Sequence, residues 1–417
     1  MMMPEEYRSS SYAMAIQMRL VISFGGDGWR EERRVHPTQL SVSGRSQAPD
    51  IISPETQVYI IVGSANKIRG CQQCKQALTD AFLIPPLWWA DHIRKSNGYF
   101  GCEATRDAET TTGLNTWAFF ESKRLTPDKS YHWSKINVFT RWLSAKNQTG
   151  ILIFDLNEYT PHPCADLVPE NHLLSDPFWV YPHILNSVAK LEERAVWAIR
   201  DQVRPIEKEQ EVARPPNKRP QPNYRTSHDI ARHAIHVTET LDVALQTVEH
   251  ILENHRIYMS PGYSNPFQSH HDPQIWQEIQ SRLSFAQNYL SSMRHRSSSN
   301  EKRLQNEIQL AFHMVAQHDA SVTVKISRAM MTDSAALKTL AFVTFTFLPP
   351  TFICAVFSMS FFNYDQSTGW KASGKLWIYW AFAIPTTVIT ALLWNYWHRV
   401  PPPEQVQKRV DTFGDPV

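Results

Sequence analysis

Two stretches near the C-terminal end constrain this chain more than anything else in it. Thr339 to Tyr364 gives 26 consecutive residues without a charge, and Leu376 to Trp397 gives 22 more. A helix needs about 20 apolar residues to cross a hydrocarbon layer of about 30 Å. Both runs therefore read as membrane-spanning helices, 339–364 and 376–397, joined by a loop over 365–375. A buried core hairpin of a soluble protein would carry shorter runs with polar interruptions. Aromatic residues mark the ends of the second run: Trp370, Trp377, Tyr379 and Trp380 on one side, Trp394, Tyr396 and Trp397 on the other. Rings of this kind settle at headgroup level. Lys325, Arg328 and Lys338 precede the first run and Arg399, Lys408 and Arg409 follow the second, against Lys371 and Lys375 between them. That bias places both termini on the cytosolic side, with 398–417 as a cytosolic tail, and leaves open which membrane is meant.

Balanced charge, 42 Lys and Arg against 40 Asp and Glu, argues against a nucleic-acid partner. Five dispersed cysteines do not form the even framework of a small secreted domain. The start of the chain has Glu5, Glu6 and Arg19 around a broken apolar stretch, unlike a secretory signal or a transit peptide. Residues 1–55 show no sustained periodicity and read as loosely ordered. From 56 to 200, β-like runs at Asn115–Glu121, Lys135–Leu143 and Ile151–Leu156 alternate with helical stretches such as Ile184–Ile199, which predicts a cytosolic α/β domain. Five prolines between 201 and 225 predict a linker. The segment 226–338 reads as a helical stalk region. Leu304, Ile308, Ala311, Val315, Val322, Ile326, Ala329 and Leu337 form one apolar stripe with no proline or glycine before the first span. A single long coiled-coil-like helix cannot bury that stripe alone, so a neighbouring helix or second subunit is required. The fold expected is thus an α+β cytosolic domain, long stalk helices and a two-helix transmembrane hairpin.

The run from Arg303 to Asp365, with QLAFHMVAQHDASVTVKISRAMM leading into ALKTLAFVTFTFLPPTFICAVFSMSFFNYD, resembles the fungal branch of the CorA-like divalent metal ion transporters, as does the helix HDIARHAIHVTETLDVALQTVEHIL. The resemblance covers about 226–398. It implies a homo-oligomer, five-fold in that family, whose first spans line a pore for Mg2+ or a related divalent cation, with membrane lipid around the second spans. It implies no enzyme activity and no cofactor beyond the transported or regulatory ion, and no P-loop, dinucleotide fingerprint or hydrolase elbow occurs in the chain. At the pore mouth the family carries Gly-Met-Asn; here Ser358, Met359 and Ser360 stand there. A ring of serine hydroxyls is shorter and less directive than a ring of carboxamides. The connecting loop sets Asp365 against Lys371 and Lys375, a formal +1.

Leu337, Leu340, Thr344, Leu348 and Thr351 follow one another at steps of three and four and share one side of a helix. Facing a symmetry axis, the leucines make constrictions that gate by dewetting and the threonines offer hydroxyl rings; the other reading packs the stripe on a neighbouring span, with the threonines bonded to their own backbone. Pro349-Pro350 is expected to bend the helix near Thr351. Asp333 and Asp319 on the stalk would form carboxylate collars for metal in a ring, or else are solvated surface charges. Cys71 and Cys74 with His92 and Cys102 lack the second pair of a regular zinc site, and His233, His236 and Glu239 at i, i+3 and i+6 are read as exposed helix residues that could also sense a cation. A divalent cation transporter is the leading expectation. The alternative is a non-conducting member serving as a membrane-anchored interaction or metal-sensing module.

Overall fold

The computed structural model describes residues 18–23, 29–40, 42, 47–108, 110–126, 130–155, 167, 169–211, 219–259, 267, 272–367 and 369–399. The chain divides into two compact units, Met1–His313 and Met314–Val417.

The first unit is built on a seven-stranded sheet. Its strands are β1 (Met18–Ser23), β2 (Trp29–Val35), β3 (Val58–Gly63), β4 (Gly98–Asp107), β5 (Thr110–Leu125), β6 (Tyr131–Leu143) and β7 (Gln148–Phe154), in the order β2-β1-β3-β7-β6-β5-β4. Only β3 and β7 run parallel, with Ile60 beside Ile151; every other neighbour is antiparallel. Side chains alternate between the two faces of a strand, and here both faces are covered. On one face Val58, Ile60, Val138, Ile151 and Ile153 pack under two long helices, α3 (Tyr181–Glu211) and α4 (Tyr224–Met259). On the other, Tyr59, Ile61, Phe139, Leu152 and Phe154 pack under the short helices α1 (Ala65–Arg69) and α2 (Gln72–Phe82) and the 3-10 turn Pro86–Trp89. Burial on both sides explains the near-continuous apolar run Gly150–Phe154.

Several hydrogen bonds inside this sandwich tie its layers together. Tyr181 donates to Thr116 at 2.6 Å, whose hydroxyl meets Thr140 at 2.5 Å, and Trp179 donates to Thr149 at 3.0 Å. Toward the other layer, Asn115 donates to the carbonyls of Phe82 and Leu83, and the Arg141 guanidinium to that of Ala81. These are orphan acceptors at the end of α2, so the sheet itself caps that helix. Leu83 closes it in the left-handed region at φ 50°.

Three expectations change here. Residues 1–55 are not uniformly loose: β1 and β2 join the sheet, with Met18, Leu20 and Val35 buried. Charged WREERRV hid β2, yet charges suit an edge strand that must not recruit partners. The proline-rich stretch 201–225 is not a linker throughout, because α3 continues through Pro205 to Glu211. Proline removes one donor, while Val203 and Ile206 still pack into the core. Third, the compact unit extends past residue 200 to His313. Helix α5 (Pro273–Phe361) begins with a proline, where the missing N–H costs nothing, and its first part supplies Ile279, Leu283, Leu290 and Leu304 to the same core. Arg294–Asp242, Arg303–Glu207 and the Asn300 amide on the Val196 carbonyl fasten it to α4 and α3.

Two titratable groups lie inside the helical layer. Glu192 is 1 % exposed, its carboxyl bonded by the Thr240 hydroxyl at 3.4 Å, and burial pushes it up to about 8. His255 lies between Phe178 and Trp276 with Nε2 2.9 Å from Asp176; burial pulls the imidazole down, but the Asp176 carboxylate outweighs it and holds His255 above its ordinary value. Native Glu192 keeps a proton that the unfolded chain loses above its ordinary value of 4.5, so its contribution to stability is present below that pH and falls away as pH rises toward 8. His255, held above its ordinary value, acts in the same direction. Thermal unfolding of Glu192→Gln in detergent should therefore show a shallower loss of stability from pH 5 to 8.5 than wild type, the two converging at acid pH. Parallel curves would remove this account of Glu192.

Candidate functional site

The second unit holds two helices long and apolar enough to cross a membrane: the C-terminal part of α5, and α6 (Leu376–Arg399). None of the apolar window of α5 is buried, and 6 % of that of α6. The helix of the first run ends at Phe361; a hairpin of β8 (Phe362–Asp365) and β9 (Gly369–Ala372) then replaces the plain loop expected over 365–375. Pairs such as Tyr364 with Trp370 use the aromatic, β-favouring residues of this turn.

Helices α5 and α6 meet along a defined seam. On the apolar part of α5 the half-buried residues are Ala341, Thr346, Pro349, Pro350 and Ile353. On α6 they are Leu376, Ile378, Tyr379, Thr387, Thr390 and Trp394, and from Tyr379 through the buried Ala383 to Trp394 they follow at steps of three and four. Phe342 packs on Trp394 with ring centroids 5.4 Å apart, and the Tyr379 hydroxyl donates to the Pro350 carbonyl at 3.4 Å. Helix α5 continues through Pro349-Pro350, whose missing N–H groups leave the carbonyls of Phe345 and Thr346 without their usual donors.

The stripe singled out in the sequence lies elsewhere on α5. At about 3.6 residues per turn, Leu337, Leu340, Thr344, Leu348 and Thr351 centre on the side of the helix roughly opposite Phe342, Thr346, Pro350 and Ile353. All five are exposed, Leu337 at 64 % and Leu348 at 61 %. Within one chain the second span leaves most of the stripe's surface uncovered, although Leu337, Leu340, Thr344 and Leu348 border a groove shared with it. One flank opens into a groove of about 520 Å3, where Leu340, Thr344 and Leu348 face Thr390 of α6. The Thr344 hydroxyl donates to the Leu340 carbonyl at 2.9 Å, and the Thr351 hydroxyl to those of Phe347 and Leu348, each at 2.9 Å. Backbone bonding of the threonines, which the packing alternative expects, is thus present.

Ser358, Met359 and Ser360 fall in the last helical turn, and their side chains lie outside the described residues. Asp319 and Asp333 are exposed, as are the residues between them, and the Thr323 hydroxyl donates to the Asp319 carbonyl. The structure does not gather the thiols and His92 into one site. Cys71 Sγ accepts the Cys74 backbone N–H as the cap of α2. Burial holds the Cys74 thiol up at about 12, and the Cys74 sulfur lies 3.7 Å from His36. Cys102 sits on β4, and burial raises its thiol as well. His236 reaches Glu239 at 3.4 Å, but His233 lies over the Tyr131 ring instead, pulled below its ordinary value by burial and by Lys123. Glu239 also accepts from Asn97.

Among the described residues, metal-type ligand atoms converge at a place the sequence did not suggest: Glu170, His172 and Glu278, mutually within 4.8 Å. Arg282 bonds both glutamates, with two contacts to Glu170 at 2.8 and 3.2 Å. A guanidinium there fills the place of a cation, so the group acts as an ion-pair network. Residues 108 positions apart carry no local motif.

No protein-family model matches the chain. Among curated proteins, the notoamide biosynthesis cluster protein M' of Aspergillus versicolor is 27% identical over 289 residues, spanning 66% of this chain and 62% of that relative. The chain thus matches less than two thirds of the relative's length. Solved structures with similarity include the full-length CmaX protein (TM-score 0.39, 14% identity, covering 91% of this chain and 97% of that one). The CorA magnesium transporter from Methanocaldococcus jannaschii gives a TM-score of 0.38 at 12% identity, covering 92% and 98%. The ZntB cytoplasmic domain from Vibrio parahaemolyticus gives 0.40 at 6%, covering 73% and 99%. With no TM-score above 0.40, these superpositions are loose.

The seam can be tested directly. Paired Phe342→Cys and Trp394→Cys should oxidise to an intrachain crosslink in membranes, whereas Leu340→Cys with Trp394→Cys should not. Efficient crosslinking of the second pair would reverse the assignment of the two faces.

Proposed function

We propose that this chain is a membrane transporter subunit in which several copies place the Leu337–Thr351 face of α5 around a shared path for a divalent cation such as Mg2+. The observation that carries the reading is the exposure of that face, which α6 leaves open apart from the groove at Thr390. An apolar surface of this extent does not stand in water, and the sequence resemblance described above supplies a role for its threonines.

Their hydrogen bonding supports the same role. A hydroxyl has one proton and two lone pairs; with the proton engaged on a backbone carbonyl, what Thr344 and Thr351 present outward is an acceptor. A hydrated cation turns its water hydrogens outward and is met by acceptors. Leu337, Leu340 and Leu348 between them would form the dry constrictions at which such a path closes. Asp333 and Asp319, farther toward the N-terminal end of the same helix, would raise the local cation concentration before the constriction. Both termini would be cytosolic, following the basic flanks.

A second reading has an observation of its own. The turn between the spans carries Asp365 against Lys371 and Lys375, and Ser360 stands where the family has asparagine. Such a mouth attracts cations weakly, as in a non-conducting, membrane-anchored metal-sensing subunit.

Flux of Mg2+, Zn2+, Co2+ and Ni2+ into vesicles reconstituted with the assembled protein distinguishes the two. Under the transporter reading, Thr351→Leu lowers flux at least tenfold with assembly unchanged, while Thr386→Val, on the other span, leaves it within about twofold. Absence of flux for all four ions from correctly assembled wild type would overturn it.

A further inference from the structure

One motif of the first unit has no part in ion transport: Cys71-Gln72-Gln73-Cys74, at the start of α2. Its backbone is fixed from both sides. The Cys71 N–H donates to the Ile68 carbonyl of α1 at 3.0 Å, and the Cys71 carbonyl accepts the Lys75 N–H at 2.9 Å, which closes the first turn of α2. Cys71 is the N-cap and Cys74 stands three residues on, so the two side chains share one side of that turn. At a rise of ~1.5 Å and about 3.6 residues per turn, such a pair has Cα atoms roughly 5 Å apart, inside the ~4.4–6.8 Å that a disulfide spans.

The two sulfurs are not equivalent. Cys71 is 8 % exposed beside the exposed Gln72 and Gln73, and its Sγ accepts the Cys74 backbone N–H at 3.3 Å. Attacking sulfurs act as thiolates, and Cys-x-x-Cys pairs at helix N-termini are where such sulfurs occur. Cys74 is 0 % exposed, and burial together with the neighbouring Cys71 side chain holds its thiol protonated. One sulfur can be reached by a small reagent, and the second is stored behind it.

Holding a metal is the other use of paired thiols, and it asks for more ligands than the pair provides, since structural zinc takes four. The Cys74 sulfur lies 3.7 Å from His36 Nε2. Among the described residues, however, ligand atoms of His, Cys, Asp and Glu converge in threes only at Glu170, His172 and Glu278. Cys102 stands on β4, a different element. Two sulfurs alone in one helical turn suit covalent chemistry with each other.

We infer that Cys71 and Cys74 form an oxidisable dithiol, a modification site for hydroperoxides such as hydrogen peroxide. The Cys71 sulfur attacks one peroxide oxygen, the O–O bond breaks, the other oxygen leaves as water with the thiol proton, and Cys71 becomes a sulfenic acid. The Cys74 sulfur then attacks Cys71 Sγ, the S–O bond breaks, and the hydroxyl departs as water with the Cys74 proton. Two thiols and one peroxide thus yield one disulfide and two waters, the sulfurs together losing the two electrons that the peroxide gains. The new bond closes the first turn of α2 covalently. It also takes the proton from the sulfur beside His36, which caps the 3-10 turn Pro37–Gln39 after β2.

Peptide masses test this on the full-length protein in detergent, treated with hydrogen peroxide, alkylated and cut with trypsin. Cleavage after Arg69 and Lys75 releases Gly70–Lys75, which holds both sulfurs and no other cysteine. This peptide should lose two hydrogens, and dithiothreitol should restore them. Cys102, a single thiol that burial keeps protonated, should oxidise about tenfold more slowly. Cys71→Ser keeps an oxygen cap on α2 and so keeps the fold; in it Cys74 oxidation should slow about tenfold, because the reachable sulfur is gone. In Cys74→Ala, dimedone should trap Cys71 as the stalled sulfenic acid. Four results would each overturn the proposal: a Gly70–Lys75 peptide that keeps its dithiol mass while Cys102 oxidises, wild-type oxidation of Cys74 in Cys71→Ser, no dimedone adduct in folded Cys74→Ala, or bound zinc that shields both thiols until a chelator removes it. The readout is covalent mass, so its outcome is independent of the transport reading.

Discussion

The constraint that organises the C-terminal unit is that an apolar surface must be covered by something other than water. The α5–α6 hairpin covers only a narrow seam of itself, from Phe342–Trp394 to Pro350–Tyr379, and leaves the remaining circumference of both helices exposed. Hydrocarbon can cover most of it. A face bearing Thr344 and Thr351 at regular intervals differs from the rest, because each threonine keeps an acceptor pointing outward after satisfying its own helix. Lipid has no donor for that acceptor, whereas a neighbouring subunit or a wet path does.

The N-terminal unit solves the opposite problem. Its seven-stranded sheet is covered on both faces, so its strands become apolar throughout and its few internal polar groups must find one another. The Tyr181–Thr116–Thr140 chain and the Asn115 and Arg141 caps on α2 do this across two interfaces.

Much of this was legible from residue order. The charge-free runs, the strands within Asn115–Glu121 and Lys135–Leu143 and the helix around Ile184–Ile199 all emerge from periodicity, because the signal is local. What was not legible depended on distant partners. β2 is polar because it lies at the sheet edge, and α3 passes Pro205 because Val203 and Ile206 are anchored in the core. The stripe of α5 was readable as a face, but its position relative to α6 was not, since that needs the seam on both helices. The cluster of Glu170, His172 and Glu278 joins distant positions and has no motif at all, while the Cys71 and Cys74 pair, half of a zinc motif in sequence, forms a helix cap.

Pro349 and Pro350 set one last condition on the first span. Two successive residues without N–H leave two acceptors at nearly the same height in a segment that should lie deep in hydrocarbon, and dry hydrocarbon offers them nothing. Neighbouring helices, hydroxyl side chains or water can meet such carbonyls, and the Tyr379 hydroxyl on the Pro350 carbonyl brings a donor of α6 to this level. The level of the two prolines is thus where this helix depends most on what lies beside it, because its own backbone cannot complete its ladder there.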